Sequence, residues 1–334
     1  MKTVRKTIRI LLLVLVLFIQ GCSSNSPQIP ESPKETELSE SFKETELSES
    51  SIQIPDEEIP RRNQGEPRER SEVLDAKIDP AAAVYFEGGY VDLSQRQKGF
   101  MGISYTSEDR LKFQVITDKD TYTYDLPSDG TETIFPFNMG DGTYTVRVMQ
   151  NIEGSKYMMV WSEEIEVKLI DEFQPFLRPN QICNYRPNEE LVDKAYELSK
   201  YAVNDLQIAS AIYDYLKDTV TYDHDKAATV QSGYLPTPSS TLKTKNGICF
   251  DYAALAAAML RSQGVPCQVV TGYFGEDELY HAWNRIYIKE QGWLSVEISV
   301  SANNWKRVDI TFAAGNTSTE KLEDDSRYTN RYYY

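Results

Sequence analysis

Gly247-Ile248-Cys249-Phe250-Asp251-Tyr252-Ala253-Ala254-Leu255 is the stretch on which the reading of this chain turns. A cysteine stands where a glycine-bearing loop gives way to an alanine-rich run. Asp251 to Arg261 is dominated by alanine, leucine and methionine, all strong helix formers. Gly264 and Pro266 mark its stop. Cys249 therefore falls at or just before a helix N-terminus. There the free N–H groups and the helix dipole favour the thiolate over the thiol, and the same N–H groups can hold an oxyanion. The predicted helix is nearly apolar on every side, so it should lie at the centre of its domain.

A nucleophilic thiol needs a base within hydrogen-bond reach, and the base needs a partner that orients it. The chain has two histidines. His224 lies in the polar run Tyr222-Asp223-His224-Asp225-Lys226 and reads as a surface residue. His281 opens the strand-like run His281-Ala282-Trp283-Asn284-Arg285-Ile286-Tyr287-Ile288, 32 residues after Cys249. For the orienting carboxylate there are two candidates, Glu297 and Asp309, each placed four residues after a tryptophan and one after a valine. Strand signals also cover 267–273, 293–298 and 305–312, with Gly292 and Asn303-Asn304 as turns. Upstream, Asn188 reads as the N-cap of a helix through about Tyr201, and a second helix starts near Asn204-Asp205 with Ile208, Ile212, Tyr213 and Leu216 on one face. Val220-Thr221-Tyr222 is a short extended piece, and 234–242 reads as a loop. Helices followed by an antiparallel sheet make an α+β unit.

Together, Gly-x-Cys at a helix start, the Gly272-Tyr273 strand, His281-Ala282-Trp283 and the Trp305…Val308-Asp309-Ile310-Thr311-Phe312 strand resemble the transglutaminase-like superfamily in its bacterial branch, over about residues 185–315. That superfamily is similar in its thiol chemistry to the papain-like enzymes. The resemblance implies a papain-like, transglutaminase-like core with Cys249 as nucleophile, His281 as base and Asp309 as orienting acid. Asp309 is preferred to Glu297 because its setting resembles the family's Val-Asp-Pro-Thr-Phe, with Ile310 in place of proline. The interval of 28 residues from His281 to Asp309 is about twice the family's usual one, so 293–300 reads as an inserted strand or hairpin. If it is not an insertion, Glu297 becomes the partner. No glutamine lies just before Cys249, and position 243 is a lysine. Gln268, Tyr222 or backbone N–H groups are left as candidate oxyanion donors.

The function implied is acyl transfer on peptide or protein amides, as a peptidase or amidase or as a transglutaminase-like enzyme. Tyr273, Asp277, Glu278 and Trp283 are candidate walls for an amine acceptor. The alternative, of a different class, is a non-catalytic surface binding or assembly protein with a vestigial core, in which Cys249 is a small buried residue and His281 a satisfied strand histidine. No cofactor is expected, and no oxygen-rich loop has calcium-ligand spacing.

The chain has 334 residues, a net charge of -16 and 40% hydrophobic residues. This acidity argues against nucleic acid, which needs a basic surface. Lys2, Arg5, Lys6 and Arg9 precede an apolar run, 10–19, too short for a span of about 20 residues and suited to a secretory signal. Ile19-Gln20-Gly21-Cys22 resembles a bacterial lipoprotein signal. That resemblance implies removal of 1–21, lipid on Cys22 and a protein held at the outer face of a bacterial cell membrane. Removing 1–21 takes away four basic residues, leaving 31 against 51 acidic ones, a net charge of -20.

Residues 22–77 read as a disordered Ser/Glu/Pro-rich tether, in which 34–41 recurs as 43–50. Residues 78–172 read as an all-β, sandwich-like domain. Its strand signals are 83–86, 111–116, 121–126, 142–148, 158–161 and 165–169, and its expected role is a spacer or platform. The resemblance implies a transglutaminase-like domain over residues 173–334, with 177–188 reading as a linker. Three thiols remain after Cys22: Cys183, Cys249 and Cys267. Export permits a disulfide between Cys183 and Cys267, although Cys267 reads more simply as a small core residue. The expected partners are a peptide or protein substrate, cell-wall peptide included, and the membrane through Cys22.

Overall fold

The computed structural model describes residues 66–186, 189–274, 279–289, 291–296, 298–301, 304–307 and 328–334. The signal segment, Cys22, Asn188, Asp277, Glu278, Glu297 and Asp309 lie outside the described residues.

The first unit is a β-sandwich. β1 (Val84–Phe86), β2 (Gly89–Asp92), β3 (Phe100–Tyr105), β4 (Leu111–Ile116), β5 (Thr121–Leu126), β6 (Thr133–Pro136), β7 (Gly142–Glu153) and β8 (Lys156–Val167) follow in order. They pair into two antiparallel four-stranded sheets, β1-β2-β3-β6 and β5-β4-β7-β8. Alternation sets the inner face: Leu111, Phe113 and Val115 of β4 are buried, with Tyr144, Val146 and Val148 of β7. Phe113 of one sheet stacks on Phe135 of the other with centroids 4.8 Å apart. The sandwich matches the expectation. β2, β3 and β6 were not foreseen, and 158–161 with 165–169 turn out to be one continuous strand, β8.

The second unit begins with α1 (Glu190–Ser199), α2 (Asp205–Thr219), β9 (Thr221–Tyr222), α3 (His224–Thr229), α4 (Pro238–Thr244), β10 (Asn246–Gly247) and α5 (Cys249–Ser262). A sheet follows, from β11 (Cys267–Phe274), β12 (Leu279–Ile288) and β13 (Gly292–Val296), while β14 (Ile298–Ser301) and β15 (Asn304–Arg307) pair separately. β16 (Tyr328–Tyr333) closes the order β13-β12-β11-β16. Asn204 caps α2 by accepting from the Gln207 N–H at 2.9 Å. α5 is buried along its whole length from Phe250 to Ser262, as its all-round apolarity requires. The α+β core is therefore as expected.

Two expectations are corrected. The stretch read as a loop at 234–242 contains the start of α4, where Pro238 occupies the first turn, the one place a helix accepts proline without losing a bond. The stretch read as a linker is packed: Arg178, Asn180, Gln181, Ile182, Cys183 and Tyr185 are buried. They lie where the sandwich meets the second unit, with the Gln181 N–H on the Ile134 carbonyl at 3.0 Å and Arg178 Nε on the Lys98 carbonyl at 3.1 Å.

Candidate active site

Cys249 is the first residue of α5. The turn before it is built by β9 and β10, a parallel pair that places Gly247 opposite Tyr222. Asp251, fully buried in the first turn, accepts from the Ile248 N–H at 2.9 Å and so caps the helix from inside. Lys226 of α3 meets the same carboxylate at 2.7 Å, and the Tyr234 hydroxyl donates to its other oxygen. Gly247 is required here because a Cβ on it would lie 2.6 Å from Asp251 Cβ.

His281 comes from β12, opposite Gly272 of β11. Asn284 rivets this strand to the helices. Its Nδ2 donates to the Ala253 carbonyl of α5 at 2.9 Å, and its Oδ1 accepts from the Tyr213 hydroxyl of α2 at 2.9 Å. Cys249 and His281 are thus held on two elements locked together three residues from His281. Asn284 stood inside the quoted His281 motif, but no local signal marked it as a rivet.

The structure brings Cys249 and His281 together. Burial alone pushes the Cys249 thiol up, but the His281 charge and hydrogen bond, with backbone hydrogen bonds from Ala282 and Phe250, outweigh it and hold the thiol below its ordinary value. The other two thiols behave oppositely. Burial pushes Cys183 up to about 11 and raises Cys267 as well. Both are free and buried, so the disulfide considered between them is not formed.

A cleft of about 250 Å³ opens beside the thiol. Tyr222, Ile248, Phe250 and Ala282 line it with the pair. The facing wall comes from outside this unit: Thr123, Tyr124 and Asp125 of β5, with Gln181 and Ile182. Tyr234, Tyr280 and Tyr334 also line it. One strand of the sandwich therefore forms part of the cleft.

Of the candidate oxyanion donors, Tyr222 lines the cleft and Gln268 does not. Tyr222 is pushed up to about 12, mainly by burial and then by the Cys249 charge, so its phenol stays protonated. Tyr273 and Trp283, read as walls for an amine, are not among the lining residues, and Trp283 is buried. Their side chains are engaged in packing on the sheet, a tertiary choice that composition does not reveal. Among the described residues no group of three or more His, Cys, Asp or Glu side chains could hold a metal ion.

Residues 193–298 match the Transglutaminase-like superfamily. They form a transglutaminase-like core. The chain is also 40% identical over 67 residues to a protein-glutamine gamma-glutamyltransferase of Pseudomonas aeruginosa, a match covering 16% of this chain and 10% of that one. It is 37% identical over 59 residues to the UPF0252 protein of Methanocaldococcus jannaschii, covering 16% and 17%. The matches thus span a tenth to a sixth of these relatives' lengths. Among solved structures, a candidate cysteine protease of Cytophaga hutchinsonii is 14% identical with a TM-score of 0.36, covering 69% of this chain and 73% of that one. Red sea bream transglutaminase is 13% identical with a TM-score of 0.28, covering 60% and 48%. In this chain the transglutaminase-like core carries the Cys249–His281 pair at its helix–sheet junction.

Proposed function

We propose that this protein is a thiol acyl-transfer enzyme acting on peptide or protein amides, with Cys249 as nucleophile and His281 as base. The observation that carries the reading is the His281 hydrogen bond to a Cys249 thiol held low at the start of α5. His281 takes the Cys249 proton. The thiolate attacks the amide carbonyl, the C–N bond breaks, and the proton goes to the leaving amine, leaving a thioester. His281 then deprotonates water or a primary amine, which attacks the thioester and restores the thiol. Water makes the enzyme a peptidase or amidase; an amine makes it transglutaminase-like. The Tyr222 phenol and the first N–H groups of α5 are the donors we assign to the oxyanion, and Asp309 is the acid we assign to orient His281.

The test is incubation of the full chain with glutamine-containing and other peptides plus a labelled primary amine, read by mass spectrometry. Amine incorporation or cleavage that disappears in Cys249→Ala supports the reading. Substrates left unchanged by the wild type support the non-catalytic alternative.

We further propose that the protein works at the outer face of a bacterial membrane, anchored by lipid on Cys22. The basic, short apolar segment ending in Gly21-Cys22 motivates this. Membrane fractionation should find the wild type with the membrane and Cys22→Ser displaced from it; an unchanged distribution would contradict the anchor.

A further inference from the structure

β5 ends its sheet, paired with β4 on one side only. In an antiparallel pair, residues alternate between exchanging both main-chain bonds with their partner and turning both groups outward. The register opposes Gln114 to Thr123 and Lys112 to Asp125. The Asp125 carbonyl is turned away from β4, because it accepts from Gln181 Nε2 at 2.6 Å. The hairpin closes on the other parity, with the Thr117 N–H on the Asp120 carbonyl at 3.0 Å. Thr123, two residues before Asp125, therefore turns its N–H and C=O outward as well. No described residue bonds either group.

This open edge lies in the cleft that holds Cys249 and His281. At one end Gln181 covers the Asp125 carbonyl. At the other the Tyr122 hydroxyl accepts from the Tyr333 N–H at 3.0 Å. The loop carrying Gly233 crosses close by: a Cβ there would meet Asp125 Oδ2 at 3.1 Å, and its φ of +85° suits glycine. The remaining walls are mostly apolar and include four tyrosines, Tyr222, Tyr234, Tyr280 and Tyr334.

We propose that the edge of β5 at Thr123 is a docking subsite for an extended polypeptide substrate. The substrate main chain would pair with the Thr123 N–H and C=O, with an apolar side chain against the tyrosines and its reactive amide beside Cys249. Pairing of this kind recognises an extended backbone and leaves side-chain choice to neighbouring pockets. The subsite selects unfolded or loop segments over helical ones. The inference rests on the thiol reading and deepens it by giving the sandwich a role in binding substrate.

The test uses a phenylalanine-containing tripeptide chloromethyl ketone, whose carbon the Cys249 thiolate attacks with loss of chloride, and a set of its analogues N-methylated at one amide each. Iodoacetamide, which has no peptide backbone, is the control. Thr123→Pro removes an outward N–H and no ladder bond, which edge strands accept, and Thr123→Ala keeps that N–H. In the wild type, N-methylation at one position should slow inactivation about tenfold, the effect of losing one main-chain hydrogen bond. Thr123→Pro should slow the parent peptide by a similar factor and lose sensitivity to that N-methyl group. Thr123→Ala, which keeps the N–H, should retain the sensitivity to that N-methyl group, and each variant's iodoacetamide rate normalises its peptide rates. Because the N-methyl series is read on the wild type, it holds even if the proline variant folds poorly. Brisk iodoacetamide labelling of Cys249 with no N-methyl effect at any position overturns the docking subsite alone. Sluggish labelling of Cys249 by iodoacetamide removes the thiol reading and the subsite with it.

Discussion

Asp251 carries more of the site than its position in a helix suggests. It is fully buried, yet it caps Ile248, pairs with Lys226 and receives the Tyr234 hydroxyl. A buried carboxylate is costly unless each oxygen is satisfied. Here satisfying it ties α3 and the 231–235 loop to the turn that presents Cys249. Asp251→Ala should lower stability by about 2–4 kcal/mol, since it leaves Ile248 uncapped and Lys226 unpaired. Lys226 is partly exposed and can turn to water, which keeps the cost below that of a fully buried pair. Asp251→Asn keeps the oxygen acceptor and should recover part of the loss. Urea unfolding of the three proteins checks this, and an Ala variant as stable as the wild type would contradict the role.

At the scale of elements, local signals found what local physics decides. α5 was legible from Asp251 to Arg261 because alanine, leucine and methionine are strong helix formers and here dominate a whole run. β11 and β12 were legible as β-rich runs, with His281 in the second. Cys249 and His281 could be paired from sequence because each sits in a strong local context. β3 was missed because Phe100 to Tyr105 is buried on both sides and shows no alternation. β16 is held in place by pairing with β11, a tertiary effect that its own tyrosine-rich sequence does not announce. The cleft wall at β5 was invisible for the same reason: Thr123 and Asp125 read as an ordinary strand, and their meeting with Cys249 depends on how two units pack.

At the scale of the whole molecule, buried polar groups join those units. Arg261 of α5 donates to the Cys267 carbonyl at 2.9 Å, to the Arg178 carbonyl at 2.7 Å and to the Tyr334 carbonyl at 2.7 Å. One guanidinium thus links α5, the packed 177–186 segment and the strand that closes the sheet. Tyr122 of the sandwich packs edge-on against Tyr332 at 4.9 Å and Tyr334 at 5.8 Å. These contacts pack β5 against the end of the chain beside the cleft, which Tyr334 also lines.

The central claim is that the fold, by setting β12 against α5, makes Cys249 an activated thiol. A group whose folded pKa is depressed keeps its charged form as pH falls, so the wild-type thiolate should persist below the titration of a free thiol, near pH about 8.5. The measurement is the rate of iodoacetamide labelling at each cysteine against pH, read by peptide mass spectrometry, in wild type and His281→Ala. The account predicts a wild-type midpoint for Cys249 below that of a free thiol. In His281→Ala, where burial is left without the opposing charge, the midpoint moves up and labelling at neutral pH falls about tenfold or more. Cys183 and Cys267 should stay unlabelled until far higher pH. Superimposed profiles for the two proteins, with Cys249 titrating like a free thiol or above it, would contradict the claim.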